Sequence, residues 1–228
     1  MLVDFMKVST VDYPGKVAAT AFFGGCNFSC YFCHNSKLIR AYNEKMNEEE
    51  FFNYLDKRKG IVDAVCITGG EPTLNEEYLI WFIRQLKKRS LLVKLDTNGS
   101  NPNIIKEIIN NNLIDYIAMD IKTSLKKYKD LTGYDNIDNI KESIEIIKNS
   151  FINHEFRTTV SERFHELNDF IEIINLIDNS KYYLQPYSYS PNVLDVEISG
   201  QQNQDLSFLY KIKEKLNNLG HHNIIIRS

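Results

Sequence analysis

The sequence is notable first for what it does not contain. No apolar run approaches the length of a membrane span, and the N-terminus has no signal-peptide-like apolar core. The expectation is therefore a cytoplasmic protein with no membrane partner. Positive charge is not in excess: 27 Lys and Arg stand against 30 Asp and Glu, a net charge of -3. That argues against a nucleic-acid binder driven by a phosphate-seeking surface. The basic runs Lys87-Lys88-Arg89 and Lys126-Lys127 read as solvated faces at helix ends or in loops. No low-complexity tract, linker or repeat interrupts the chain. Cysteine is sparse, with only four residues. In a cytoplasmic setting disulfides are not expected, and clustered thiols are more often metal ligands or catalysts.

What is present is ordinary globular composition, 43% hydrophobic and 25% charged over 228 residues, enough for one large core. A strand-like piece, Leu2 to Val8, precedes Ser9-Thr10-Val11-Asp12-Tyr13-Pro14-Gly15, where Pro-Gly signals a turn. Strands are then expected at Val17–Phe23, Val62–Thr68, Leu91–Leu95, Asp115–Lys122, Glu155–Val160 and Tyr182–Tyr187, with a last one at Asn223–Arg227. Amphipathic helices fall between them. Asn47 with Glu50 suggests a capping box, Asn101-Pro102 a cap followed by proline at the first helical position, and Gly220 a C-terminal cap. Helices are also expected over Asn168–Asp178 and Asp205–Leu219, and a loop over residues 190–203. Strands alternating with helices imply six parallel β/α units in a single domain, residues 1–228. The pattern leaves open an open or partial barrel and a doubly wound sheet.

In parallel β/α folds ligands bind at the carboxyl ends of the strands. Four unusual polar clusters fall there. Cys26-Asn27-Phe28-Ser29-Cys30-Tyr31-Phe32-Cys33-His34-Asn35 follows the first strand and Gly69-Gly70-Glu71-Pro72 the second. Asp96-Thr97-Asn98-Gly99 follows the third, and Asp120 and Lys122 end the fourth. Three thiols at Cys-x3-Cys-x2-Cys spacing, with His34 next, suit either a closed Cys3His zinc site or an iron–sulfur cluster, and spacing alone does not separate them. Glu71 would suit a ligand ammonium. Asp96 and Asp120 suit a cation or sugar hydroxyls, or else helix capping. Lys122 and Arg157 suit a ligand carboxylate or an acidic partner inside the barrel. Cys66, in the apolar run Val62 to Ile67, reads as an inert core thiol.

The cysteine spacing, with Phe32 before the last cysteine and Gly-Gly-Glu-Pro on the next strand, resembles the radical S-adenosylmethionine (SAM) superfamily. Ser9 to Gly15, Gly25-Cys26, Cys33-His34-Asn35, Asp96 to Gly99 and Asp120-Ile121-Lys122 narrow the resemblance to the glycyl-radical-enzyme activases. Among these it is most similar to the activating proteins of anaerobic ribonucleoside-triphosphate reductase, with pyruvate formate-lyase activating enzyme a near relative.

The resemblance implies a partial (β/α)6 TIM-like barrel with a short N-terminal extension. By position it implies that Cys26, Cys30 and Cys33 bind three irons of one 4Fe–4S cluster, the fourth being chelated by the amino and carboxylate groups of SAM. It sets Phe32 and the backbone near His34 against the adenine, and Gly69, Gly70 and Glu71 against the methionyl amino group. Asp96, Thr97 and Asp120, with Asn98 beside them, match positions that hold a monovalent cation near the SAM carboxylate in the formate-lyase relative. Lys122 and Arg157 would neutralise that carboxylate. Ser188 stands where the formate-lyase relative has a histidine after Pro-Tyr, and is a further candidate contact.

The implied partners are a glycyl-radical enzyme, an anaerobic ribonucleotide reductase, and an electron donor of flavodoxin or ferredoxin type. Two rivals are carried along: a radical SAM enzyme acting directly on a small molecule or peptide, as a 7-carboxy-7-deazaguanine synthase does, and a zinc-binding module without activity. The first typically carries aspartate after the last cysteine, where this chain has His34-Asn35.

Overall fold

The computed structural model describes residues 1–41 and 45–227; the expected span of 1–228 includes residues 42–44 and 228, which lie outside these. Among the described residues eight strands form one sheet in chain order: β1 (Leu2–Ser9), β2 (Ala18–Phe23), β3 (Ala64–Gly69), β4 (Leu92–Thr97), β5 (Tyr116–Asp120), β6 (Asn153–Val160), β7 (Tyr182–Pro186) and β8 (Ile224–Ile226). The pairs from β2 to β8 are all parallel, and β1 runs antiparallel to β2. A doubly wound sheet reverses its strand order at a switch point. This order never reverses, so the sheet winds one way, as a TIM-like barrel does. Among the described residues β1 and β8 do not pair with each other, so the barrel is partial.

Between the strands lie α1 (Ser36–Ile39), α2 (Glu48–Lys57), α3 (Glu76–Lys87), α4 (Pro102–Asn110), α5 (Tyr128–Thr132), α6 (Ile137–Lys148), α7 (Leu167–Ile177), α8 (Val196–Ser199) and α9 (Leu206–Asn218). Six β/α units result, with β1 as the N-terminal extension and β8 closing the series. Alternate strand residues point to opposite faces. Val65, Ile67, Val93, Leu95, Ile117, Met119 and Phe156 join the core with Leu79, Phe82 and Leu86 of α3, Ile105 and Ile108 of α4, Ile144 and Ile147 of α6 and Phe170 and Ile173 of α7. The intervening strand positions carry Thr20, Cys66, Lys94, Glu155 and Arg157, all buried. The inside of the curved sheet is therefore polar, whereas its helix-facing side is apolar.

Ser9–Gly15 plugs one end. Tyr13 packs with Ala18, Ala64 and Tyr116 at the strand starts, its ring 5.9 Å from that of Tyr116. Gly15 takes φ +71 in the turn, and Lys16 N donates to Tyr13 O at 3.2 Å. Asp12 accepts from Thr20 Oγ1 at 2.5 Å. This segment lies at the end opposite the cysteines.

Three local expectations are corrected. Asn47 caps α2 by accepting from Glu49 N at 3.0 Å, with no reciprocal bond from Glu50. Asn101 does not cap α4; its Nδ2 donates to Thr73 O at 2.9 Å, tying the loop after β3 to that after β4. The expected loop at 190–203 contains the single turn α8. Gly220 follows α9 with φ +93. No helix among the described residues is long and apolar enough to cross a membrane.

Candidate functional site

Glycines shape the entrance to the cysteine segment. Gly70 N donates to Phe23 O and Glu71 N to Gly25 O, both at 2.8 Å, so the end of β3 lies directly against the exit from β2. A Cβ on Gly70 would stand 2.0 Å from Gly25 O, and one on Gly69, at φ +118, would stand 2.4 Å from Phe23 O. Neither position admits a side chain. The loop then turns through Cys33 N donating to Cys30 O at 3.1 Å and is tied to α5 by Ser29 N donating to Thr132 O at 2.7 Å.

The strand ends border a solvent-open hollow of about 220 Å³. Its wall includes Cys26, Cys30 and Cys33, then Phe32 and His34, Gly69 and Gly70, Asp96, Thr97 and Asn98, and Asp120 and Lys122. Eleven of these twelve come from β2, β3 and β4 ends and the loop after β2 or from β5; the twelfth, Lys122, is two residues beyond β5. This gathering is what the strand-end pattern anticipates. Among the described residues no three His, Cys, Asp or Glu side chains converge tightly enough to hold one metal ion. The three thiols line one hollow together. Burial pushes the Cys26 thiol up to about 11 and the Cys30 thiol up to about 12, while Lys122 pulls both back. A nearby ammonium is what a trio of thiolates requires once metal takes the protons' place.

Lys122 Nζ donates to Asp120 Oδ2 at 3.0 Å. Burial opposes its charge, but Asp120 and the Cys30 thiol outweigh that, and its pKa stands above the usual lysine range. Arg157 spans both aspartates: Nε donates to Asp120 Oδ1 at 2.7 Å and Nη1 to Asp96 Oδ2 at 3.0 Å. Arg157 is buried and does not line the hollow, so its direct partners are the aspartates. Lys94 Nζ donates to the remaining oxygen, Asp96 Oδ1. Sequence reading passed over Lys94. Its signal was a lysine inside the apolar run Leu91 to Leu95, two residues before Asp96 and so on the same strand face.

Glu71 is placed differently from the expectation. It is 1% exposed and is not part of the wall of the hollow. Its Oε1 accepts from Thr73 N at 3.1 Å, Thr73 Oγ1 at 2.6 Å and Thr97 Oγ1 at 2.8 Å, and its Oε2 from Asn98 N at 2.6 Å. A buried carboxylate with these four donors ties the end of β3 to the end of β4. Asn98 Nδ2 in turn donates to Asn27 Oδ1 at 3.0 Å, reaching the cysteine loop.

Ser188 is also corrected: it is exposed, lies outside the wall, and its Oγ is 3.4 Å from Asn203 Oδ1. Tyr187, one residue earlier, is the residue that meets the site, its ring stacked on His34 with centroids 5.7 Å apart. Partial burial lowers the His34 pKa. Cys66 is a buried core thiol as expected, 3.7 Å from Lys94 Nζ.

A one-way winding β/α sheet with three cysteines and two carboxylates on its C-terminal rim defines a cofactor-binding partial barrel. The family model described as the radical SAM superfamily matches residues 20–177, and the chain belongs to that superfamily. A protein of Methanocaldococcus jannaschii assigned as a glycyl-radical enzyme activating enzyme is 36% identical over 183 residues, 78% of this chain and 75% of the relative. The pyruvate formate-lyase-activating enzyme of Clostridium pasteurianum is 28% identical over 191 residues, 79% of each chain. These likenesses set the chain in the activase branch. The crystal structure of Streptococcus suis SuiB bound to precursor peptide SuiA shares the fold with a TM-score of 0.71 at 16% identity, covering 92% of this chain and 48% of SuiB. This chain thus spans about half the length of SuiB.

Proposed function

We propose that residues 1–228 act as one radical SAM domain that generates a glycyl radical on a partner enzyme. The observation that carries this reading is the sharing of one hollow by three cysteines, the Gly69-Gly70 backbone and the Asp96 and Asp120 carboxylates. When bound, a 4Fe–4S cluster and SAM supply one-electron cleavage of the sulfonium S–C5′ bond and a 5′-deoxyadenosyl radical able to take hydrogen from a glycine Cα. Cys26, Cys30 and Cys33 would hold the cluster through their thiolates, and the open hollow beside them would receive SAM. The Gly69-Gly70 edge receives the methionyl amino group, and Lys122 offers its ammonium to the carboxylate. Phe32 and the backbone near His34 border the adenine, with Tyr187 holding the His34 ring from behind. Glu71 acts through the wall it braces. These residues bind, orient and exclude water; the difficult chemistry belongs to the cofactors.

The partner in this reading is an anaerobic ribonucleotide reductase, and a flavodoxin- or ferredoxin-type donor would supply the electron to this protein's own cluster. Support comes from the activase-like motifs and from Pro186-Tyr187-Ser188, which departs from the formate-lyase pattern and so points to a different partner. The segment 187–203 beside the cysteine loop suits the docking of that partner. Asp195 N donates to Tyr31 O at 3.0 Å, and Leu194 and Ile198 are exposed. Anaerobic mixing of the reduced, reconstituted protein with SAM and the candidate reductase tests the reading. A glycyl radical signal by electron paramagnetic resonance is expected; SAM cleavage with no such signal would reject that partner.

A further inference from the structure

Each of the four carboxylate oxygens of Asp96 and Asp120 accepts from a nitrogen cation. Lys94 and Arg157 take the two oxygens of Asp96, and Arg157 and Lys122 take the two of Asp120. A sodium or potassium ion is held by oxygens with lone pairs directed at it. Here two ammoniums and a guanidinium, one cation on every oxygen, would stand beside any such ion and repel it. The positions therefore do not fit the monovalent cation that the family resemblance led us to expect.

Lys94 makes the difference. Its side chain is 2% exposed and comes from the middle of β4, between Val93 and Leu95. A lysine is not buried so completely without an anionic partner. Its neighbours are Asp96 and the Cys66 thiol at 3.7 Å, and burial keeps that thiol protonated, which leaves Asp96 as the charge it answers. Three cations then meet two carboxylates, and the cluster carries one positive charge in excess.

We propose that Lys94 is a built-in cation, a positioning residue that acts through Asp96 and lets the rim receive a ligand carboxylate with no bound sodium or potassium ion. This inference rests on the proposed SAM site. The positive excess from Lys94, Arg157 and Lys122 matches the single negative charge of a methionyl carboxylate, and the fixed Nζ holds the Asp96 carboxylate toward Arg157.

The test has two arms, each run in sodium, potassium and tetramethylammonium chloride at equal ionic strength. In the first, the thermal midpoint of the iron-free protein is measured. In the second, SAM affinity is measured on the anaerobically reconstituted protein. For the wild type, equal midpoints and affinities within about twofold are expected across the three salts. For Lys94→Gln, SAM binding is expected to weaken roughly tenfold in tetramethylammonium and to recover in potassium or sodium, whereas Lys94→Arg should keep the wild-type indifference. A wild-type midpoint or affinity that rises specifically with sodium or potassium overturns the proposal, as does a Lys94→Gln protein indifferent to the salt. Absence of SAM binding in every salt would reject the proposed function, while the midpoints still decide the cation question. Should Lys94→Gln fail to fold, the wild-type and Lys94→Arg measurements decide it.

Discussion

Arg157 Nε donates to Asp120 Oδ1 across 2.7 Å between two residues paired directly in register on neighbouring strands. The same guanidinium reaches past β5 to Asp96 on β4. One rigid, planar fork thus fixes the spacing of two carboxylates on the rim, a task for which a lysine is the wrong shape. Arg157→Met would leave one oxygen of each carboxylate without its donor while Lys94 and Lys122 still balance the charge, and the expected loss is about 1–3 kcal/mol of unfolding free energy. Urea unfolding at neutral pH measures it. Arg157→Lys should recover only part of the loss, because one ammonium cannot serve both aspartates.

The same pair sets an acid limit on stability. Burial alone would raise the Asp120 and Asp96 pKa values, but Arg157 with Lys122 or Lys94 outweighs it and holds both carboxyls below the usual range. A folded-state pKa below the unfolded value of about 3.9 contributes stability that is fully present well above pH 4. That contribution is lost as pH falls through the depressed folded values. Urea unfolding repeated from pH 7 to pH 3 should show stability falling with acidification, and Asp120→Asn should fall less steeply than the wild type. Equal slopes would contradict the pairing.

Gly70 lies where a side chain would strike the cysteine loop. Gly70→Ala sets a Cβ 2.0 Å from Gly25 O, so the loop carrying the thiols must move. The expected outcome is a loss of several kcal/mol, in the range of severe overpacking, together with reduced iron uptake on reconstitution. Gly60→Ala is the control: Gly60 has φ +84, and nothing lies within 4 Å of its added Cβ. There the cost should be about 1 kcal/mol with iron uptake unchanged.

Glu71 provides a fourth prediction. Glu71→Gln turns one acceptor oxygen into a donor facing the Thr73 and Thr97 hydroxyls or Asn98 N. Leaving such buried donors unpaired costs about 1–3 kcal/mol. Thermal unfolding of the iron-free variant should therefore show a lower midpoint than the wild type. A Glu71 that served only as a ligand contact would leave that midpoint unchanged.

The rim was legible because β/α strands announce their ends: an apolar run stops, and Cys26, Gly69, Asp96 and Asp120 follow at once. The one-way winding of the sheet was not legible from periodicity, since an open barrel and a doubly wound sheet share the same strand–helix rhythm. It emerged from the pairing order alone. Side-chain direction was the other limit. Glu71 stands beside Gly-Gly in sequence and was expected to face a ligand, but Thr97 and Asn98 of the neighbouring strand draw it into the wall. Ser188 turns toward Asn203 while Tyr187 meets His34. Register sets Arg157 opposite Asp120, where it pairs with internal acids. Lys94 carried a readable signal, a charge within a buried strand, that strand-end reasoning overlooks.

In the proposed function Cys26, Cys30 and Cys33 hold an incomplete site for a cluster that cleaves SAM. Anaerobic reconstitution followed by iron analysis and reduction in the presence of SAM tests it most directly. A brown protein with about four irons per chain, releasing methionine and 5′-deoxyadenosine, is expected, and Cys30→Ala should abolish that release. A colourless protein with one tightly held zinc per chain and no SAM cleavage would contradict it.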